Sequence, residues 1–387
     1  MKPIKLVYCL PSLHMVGGME KVLTIKANYF AQILGYDVTI VLTDGAGIAP
    51  FFSLSPLVKV INLKIEFESI RTYPLLIRVF FYLYKQLLFK KRLAKVLRNI
   101  RPDITVSMLR REINFITKLD DGSKKIGEMQ FNKSNFRDLN TRGDYKGIKG
   151  YMAKKWMNQL ISNLKEVDSF VVLSYEDMEK WTELNNLRVI YNPIEKMPDK
   201  KTDGKSKRVL AAGRFVSQKG FDMLLNSWAI VSAKHPDWKL CIYGGGNKEP
   251  YLDLIKRKNI SDSCCIHDAT PDLSEAMVSS SIFAFTSRFE GFSLVLTEAM
   301  SYGLAPVAFA CPCGPRDLIQ DGEDGILVTP NDINKFAEKL CYLIENEEVR
   351  IKMGNKAREK AMNYTLENIA KEWDSLFKTL VNQAQSN

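Results

Sequence analysis

Two acidic residues stand eight positions apart in the stretch SRFEGFSLVLTEAM: Glu290 and Glu298. From Phe292 to Met300 the side chains are almost all apolar, the pattern of a helix buried by its neighbours. A carboxylate removed from water is costly unless a polar group meets it. Glu298 therefore either reaches solvent, as a good helix former can, or serves a polar ligand. Upstream, GRFVSQKGF sets Arg214 and Lys219 just past an apolar run with strand character. A guanidinium and an ammonium there suit a diphosphate and require no metal. Standing alone, such a pair reads as a solvated loop. It gains weight from EGFSL, where Phe292, Ser293 and Leu294 open a helix whose free N–H groups also favour phosphate. Near the N-terminus, Gly17 and Gly18 precede another helical stretch. Their bare amides either approach a phosphate or form a tight turn with no ligand. Neither half of the chain carries G-x-G-x-x-G at its first turn, so Asp44 is a poor ribose acid for a nicotinamide enzyme.

The elements around these residues follow one grammar twice. IKLVYCL reads as a strand, PSLHMVGGME as a loop, and a helix runs on to about Leu34, where Gly35 can end it before the strand DVTIVLT. This is a β-α-β unit of the doubly wound kind. Further strands are expected at VKVINL, DITVSM, KKIGEM, SFVVLS and LRVIYN. The charged, aperiodic segment 195–207, EKMPDKKTDGKSK, reads as an interdomain linker. The grammar then restarts with the strand KRVLAAG, the helix FDMLLNSWAIVSA and the strand WKLCIYGGG, and continues through SIFAFTS and LAPVAFA. The expected fold class is α/β, with two Rossmann-like domains facing a central cleft. Open parallel sheets bind ligands at the carboxyl ends of their strands. Residues 1–194 and 208–364 are the expected domains, and 365–387 an expected helix packing back across them.

Bulk properties narrow the class further. A chain of 387 residues has room for about two domains. A net charge of +11 suggests an anionic partner. Seven scattered cysteines, an odd number, argue against a disulfide framework and for a reducing compartment. The three histidines lie far apart in sequence, so no metal site is expected. The apolar run before Pro11 is too short for a signal peptide, and no segment approaches the roughly 18 to 20 apolar residues of a membrane span. A cytoplasmic location is expected.

At this point a resemblance emerges. GRF-x3-KG, a glycine-rich turn, E-x7-E, CPCGPRDLI and DGEDGILV occur in the order found in the retaining glycosyltransferases of family 4, and the chain resembles them. GGMEKV is similar to that family's donor-side glycine loop, and VIYNPI to the end of its N-terminal domain. The resemblance covers nearly the whole chain and is strongest over 208–330. It implies the GT-B fold, with an acceptor-binding first domain and a nucleotide-sugar-binding second one. It implies that Glu290 contacts donor sugar hydroxyls, that Glu298 binds the nucleotide ribose, and that Arg214 and Lys219 neutralise the diphosphate leaving group. Gly17, Gly18, Phe292, Ser293 and Leu294 complete the implied donor site, with no cofactor and no metal. Relatives commonly carry a histidine where GEMQFNKS places Gln130, which can donate and accept hydrogen bonds but carries no charge.

The implied reaction moves a sugar, with retention, from a nucleotide diphosphate sugar, UDP being the expected carrier, to a glycan or lipid-linked glycan acceptor. Rival readings are a sugar-nucleotide epimerase of the same architecture and a non-catalytic nucleotide-binding scaffold. No helix-turn-helix or RNA-binding signature accompanies the basic charge, so nucleic acid is not an expected partner. Residues 71–98, RTYPLLIRVFFYLYKQLLFKKRLAKVLR, form a cationic, aromatic-rich segment with no acids. Arg71, Arg78, Lys85 and Arg92 recur every seven residues. Such a helix either lies in an anionic membrane interface or buries its apolar face against the first sheet. The implied setting is a peripheral enzyme of surface polysaccharide or lipopolysaccharide synthesis at the inner face of the cytoplasmic membrane.

Overall fold

A computed structural model describes residues 2–15, 17–134, 148–270 and 272–385. The chain forms two compact units, one comprising residues 1–191 with 366–387 and the other residues 192–365.

In the first unit β1 (Lys5–Leu10), α1 (Gly18–Gln32) and β2 (Asp37–Leu42) form the opening β-α-β. β3 (Lys59–Asn62), α2 (Leu75–Ile100), β4 (Ile104–Ser107) and β5 (Lys124–Glu128) follow. Then come α3 (Ile148–Lys165), β6 (Ser169–Val172), the short α4 (Tyr175–Met178) and β7 (Leu187–Val189). All seven strands are parallel, in the order β3-β2-β1-β4-β5-β6-β7. A parallel sheet is covered on both faces, so its central strands are apolar throughout rather than alternating. In β1, Leu6, Tyr8 and Leu10 join a core with α1, while Val7 and Cys9 join a second core with α2 and α3.

The second unit contains β8 (Arg208–Ala212), α5 (Phe221–Lys234), β9 (Lys239–Tyr243), α6 (Glu249–Arg257), β10 (Cys264–His267) and α7 (Ser274–Val278). β11 (Ile282–Phe285), α8 (Leu294–Ser301), β12 (Ala305–Phe309), α9 (Pro315–Leu318) and β13 (Ile326–Val328) follow, then α10 (Ile333–Glu345) and α11 (Glu347–Ala361). Its six strands are parallel in the order β10-β9-β8-β11-β12-β13. In each sheet the first strand has neighbours reached by chain running in opposite directions. The carboxyl ends of β1 and β8 are thus topological switch points, where open α/β sheets bind ligands. The Gly17–Gly18 loop leaves one and the Arg214–Lys219 loop leaves the other.

Two boundaries differ from expectation. Residues 195–207 are not a free linker but part of the second unit: buried Thr202 donates its hydroxyl to the Ser280 carbonyl, and Arg350 Nε donates to the Gly204 carbonyl at 2.8 Å. Polar composition marked a segment anchored by hydrogen bonds instead of apolar contact. The last helix, α12 (Leu366–Gln385), was expected to pack across the domains, yet its apolar side, including Ile369, Trp373 and Phe377, lies in the core of the first unit. Phe377 meets Phe30 of α1 edge-on at 5.6 Å between ring centres.

Gly220 ends the loop after β8 and starts α5 with φ of 64°, and a Cβ there would lie 2.1 Å from the Thr286 carbonyl oxygen. Gly220→Ala therefore meets both a left-handed backbone penalty and a backbone clash. It should cost about 1–3 kcal/mol of stability, readable as a lower urea midpoint; an unchanged midpoint would refute this account of the loop.

Candidate active site

Three segments of the second unit converge at the carboxyl ends of β8 and β11. The first is the loop after β8. Phe215 is buried against Phe221 and Tyr251 at 5.3 and 5.2 Å, and its N–H donates to the Gly245 carbonyl at 2.7 Å. Close approach is possible because Gly244 lacks a side chain; a Cβ there would stand 2.0 Å from the Gly213 carbonyl oxygen. This anchor fixes the short turn Ser217–Lys219. The second segment is 286–293. Arg288 clamps it to the first, pairing with both Asp222 carboxylate oxygens at 2.9 and 2.7 Å while its N–H donates to the Gln218 carbonyl at 2.8 Å. Burial alone would raise the Asp222 carboxyl, but the Arg288 hydrogen bonds and charge outweigh it and hold the group below the usual carboxylate range. The third segment is the turn 311–314, whose Pro312 carbonyl accepts the Glu290 N–H at 3.1 Å.

At the meeting point Lys219 Nζ lies 2.7 Å from Glu290 Oε1, with the two side chains 17% and 7% exposed. Gln218 Nε2 donates to the neighbouring Phe289 carbonyl at 3.0 Å. Beside them Ser293 precedes the first turn of α8. Its hydroxyl is buried without a hydrogen-bond partner among the described residues, and a Cβ on Gly314 would come within 3.2 Å of it. Buried hydroxyls are normally satisfied, so one left open at a helix N-terminus suits an incoming acceptor such as a phosphate or sugar oxygen. Arg214 is exposed, and its guanidinium forms no ion pair or hydrogen bond among the described residues. Phe292 is buried, 6.1 Å from the Tyr364 ring, and Leu294 is half-buried.

Glu298 lies on the partly exposed side of its helix. The helix carrying it is short and largely buried, but Glu298 itself is half-buried. An apolar run of nine residues does not reveal that one side of the helix lies at the edge of its unit.

In the first unit, Gly17 is the N-cap of α1 and Gly18 its first residue. The Glu20 carboxylate folds back close to Gly17, where a Cβ would sit 2.2 Å from Oε2. Gln130, just past β5, donates to Glu128 Oε1 at 2.7 Å. The same oxygen receives Lys26 Nζ, both residues being fully buried, and the ammonium stands 4.3 Å from the centre of the Trp373 ring. Burial pushes the Lys26 ammonium down against the pull of Glu128. Sequence reasoning missed Lys26 and Glu128, as it missed Gln218, Asp222 and Arg288. A lysine within an amphipathic helix carries no signal of burial, and Arg288 and Asp222 are 66 residues apart.

The segment 71–98 is helical from Leu75, with Pro74 as N-cap. Only Phe89, Leu93 and Leu97 are buried, whereas Leu76, Phe80 and Leu87 are 84%, 68% and 70% exposed. The sevenfold cationic stripe does not project into solvent as a unit. Lys85 donates to the Ile65 and Glu66 carbonyls and Arg92 to those of Leu63 and Lys64, so these two tie the helix to the chain after β3.

The profile of the family described as "Glycosyl transferases group 1" matches residues 193–360. A glycosyltransferase of Haemophilus influenzae, itself uncharacterized, is 30% identical over 384 residues, covering 96% of this chain and 99% of that relative. The chain belongs to the group 1 glycosyltransferases. Another relative, the amylovoran biosynthesis glycosyltransferase AmsD of Erwinia amylovora, is 37% identical over 173 residues, 44% of this glycosyltransferase and 48% of AmsD. Among solved structures, sucrose-phosphate synthase of Thermosynechococcus elongatus superposes with a TM-score of 0.80 at 16% identity, covering 98% of this chain and 100% of that one. TarM superposes at 0.77 with 18% identity, covering 97% and 98%. These likenesses show the fold, which is GT-B.

Proposed function

We propose that this glycosyltransferase moves a sugar from a UDP-sugar, with retention at the anomeric carbon and without a metal, onto a surface glycan or its lipid-linked precursor. The Lys219–Glu290 pair at the carboxyl end of the second sheet carries the reading. Before donor arrives, each group satisfies the other out of water. A diphosphate drawing on Lys219 and Arg214 releases Glu290 to accept hydrogen bonds from the donor sugar hydroxyls. Ser293 Oγ and the first amides of α8 add donors where negative charge develops. The bond from the anomeric carbon to the phosphate oxygen breaks with its electrons going to the diphosphate. The acceptor oxygen bonds to the same face, and its proton passes to the leaving phosphate. Glu298 holds the ribose in this reading. Gln130, which donates to Glu128, and the Gly17–Gly18 turn are assigned to donor binding in this reading.

Several likenesses support the choice of substrates. Structures of HepE from Anabaena and of pneumococcal GtfA contain UDP. A Staphylococcus aureus relative is named a poly(ribitol-phosphate) alpha-N-acetylglucosaminyltransferase, and a Campylobacter jejuni relative acts on a diphospho-undecaprenol. The deciding experiment incubates the protein with a panel of nucleotide sugars, follows thermal protection, and assigns the product anomer by NMR. Protection by a UDP-sugar and an unchanged anomeric configuration are expected, with activity surviving EDTA. Inversion, or activity lost to EDTA and regained with Mg²⁺ or Mn²⁺, would overturn the mechanism.

No helix among the described residues is long and apolar enough to cross a membrane. The exposed apolar segment 75–87 is instead suited to lie in an anionic interface. Next to it, Leu87, Lys90, Lys91, Arg98 and Lys118 line a groove of about 370 Å³, with Asp120 and Asp121 also on its wall. In this proposal the enzyme docks at the inner face of the cytoplasmic membrane and takes its acceptor there. Sedimentation with anionic vesicles should occur at low salt, weaken with added salt, and fail for Leu76→Asp/Phe80→Asp. Indifference to such vesicles would point to a soluble acceptor instead.

A further inference from the structure

β10 is the edge strand of the second sheet and pairs in parallel with β9, setting Cys265 beside Cys241 and His267 beside Tyr243. Side chains alternate along a strand. Leu240, Ile242 and Cys264 therefore enter the core on one face, while Cys241, Tyr243, Cys265 and His267 share the other. There the two sulfurs stand 3.0 Å apart, His267 Nε2 is 3.3 Å from Cys265 Sγ, and the three donor atoms all lie within 4.8 Å of one another. The Tyr243 ring stacks on the imidazole at 4.4 Å with an 18° tilt, fixing its plane. Cys241 is buried, whereas Cys265 and His267 are half-buried, so the group opens to solvent on one side.

We propose that Cys241, Cys265 and His267 form a binding site for a soft divalent cation of the zinc class, with a water or an exogenous anion as fourth ligand. Tetrahedral zinc takes sulfur at about 2.3 Å and imidazole nitrogen at about 2.0 Å. Three such donors form one face of a tetrahedron with edges of roughly 3.5 to 4 Å by that geometry, so the sulfurs need only spread slightly to admit the ion. Two thiols and an imidazole favour zinc over magnesium or calcium, which prefer oxygen. Binding converts both thiols to thiolates and releases two protons, balancing the charge of the cation. A disulfide between the two cysteines would engage both sulfurs and give His267 no part.

The site is separate from the Lys219–Glu290 pair but mechanically linked to it. The His267 carbonyl accepts the Gly244 N–H at 3.2 Å, and the adjoining Gly245 carbonyl anchors Phe215 in the Arg214–Lys219 loop. A cation joining β9 to β10 would pin the sheet edge that supports this loop.

The test uses the full-length, reduced protein titrated anaerobically with Co²⁺. We expect the visible d–d bands of tetrahedral cobalt and a thiolate charge-transfer band that saturate together and are bleached by Zn²⁺. Both should vanish in Cys265→Ser and fade in His267→Ala, and Zn²⁺ should raise the unfolding midpoint of the wild type alone. Circular dichroism and UDP binding check that the variants fold. Absence of the tetrahedral spectrum, or an undiminished one in a Cys265→Ser/His267→Ala double variant, would overturn the proposal. So would quantitative loss of two thiols to a Cys241–Cys265 disulfide on mild oxidation, with no metal bound by the reduced form.

Discussion

Glu290→Gln should lower the rate of sugar transfer by about a hundred- to a thousandfold while leaving nucleotide affinity and folding close to wild type. Gln keeps the shape of the side chain and can still accept the Lys219 hydrogen bond, which spans 2.7 Å. What is lost is the negative charge that, in the proposed function, faces the donor sugar as positive charge builds at its anomeric carbon. Interactions of this kind, strengthened only in the transition state, typically contribute about 3–4 kcal/mol, or two to three powers of ten in rate. Lys219→Ala should also slow transfer, by at least about tenfold, but it leaves the 7%-exposed Glu290 carboxylate without its cation and so should lower stability as well. Glu298→Ala should act earlier, weakening nucleotide binding before turnover. Measuring UDP affinity, kcat and the unfolding midpoint on all three variants separates these roles. Full activity in Glu290→Gln, with donor saturating, would remove Glu290 from the proposed mechanism.

Lys26→Met should destabilise the protein by about 3–5 kcal/mol, the usual consequence of stranding a charge in an interior. Lys26 and Glu128 are 1% and 0% exposed, and no surface water can replace the missing partner. Glu128 Oε2 already lacks a hydrogen bond among the described residues, so its other oxygen depends on Lys26 and Gln130. The lysine also sits against Trp373, so its loss loosens the docking of α12 on α1. Because a buried ion pair is weak support compared with well-packed apolar replacements, the double variant Lys26→Met/Glu128→Leu should recover much of the loss. It should not recover transfer activity if Glu128 orients Gln130 at the donor. Urea unfolding of the single and double variants provides the cycle. A single variant within experimental error of wild type would show that the pair contributes nothing.

Much of the fold was legible because a parallel sheet writes itself into a chain. All seven strands of the first sheet fall within the segments read as strands, and those covered on both faces, such as β1 and β6, are apolar over most of their length. α2 begins directly after Pro74, whose fixed φ and missing N–H suit a helix start. GRF-x3-KG and E-x7-E singled out the segments that converge in the second unit. β10 and β13 escaped notice: CCIH mixes thiols with a histidine, and ILV is only three residues long. Their assignment depends on pairing with β9 and β12, which no local pattern expresses.

The sequence alone determined which residues could be chemical and, for the most part, which elements carry them. Tertiary structure decided which of them meet. Lys219 and Glu290 are 71 residues apart, Lys26 and Glu128 are 102, and Cys241 and Cys265 are 24. It also decided orientation along α2, where the sevenfold spacing aligned Lys85 with Arg92 but could not show that both bind backbone carbonyls after β3. The physical reason is common to every case. Periodicity along a chain records that a face is apolar or charged, whereas the partner of that face is set by sheet order and register, which arise from contacts distant in sequence.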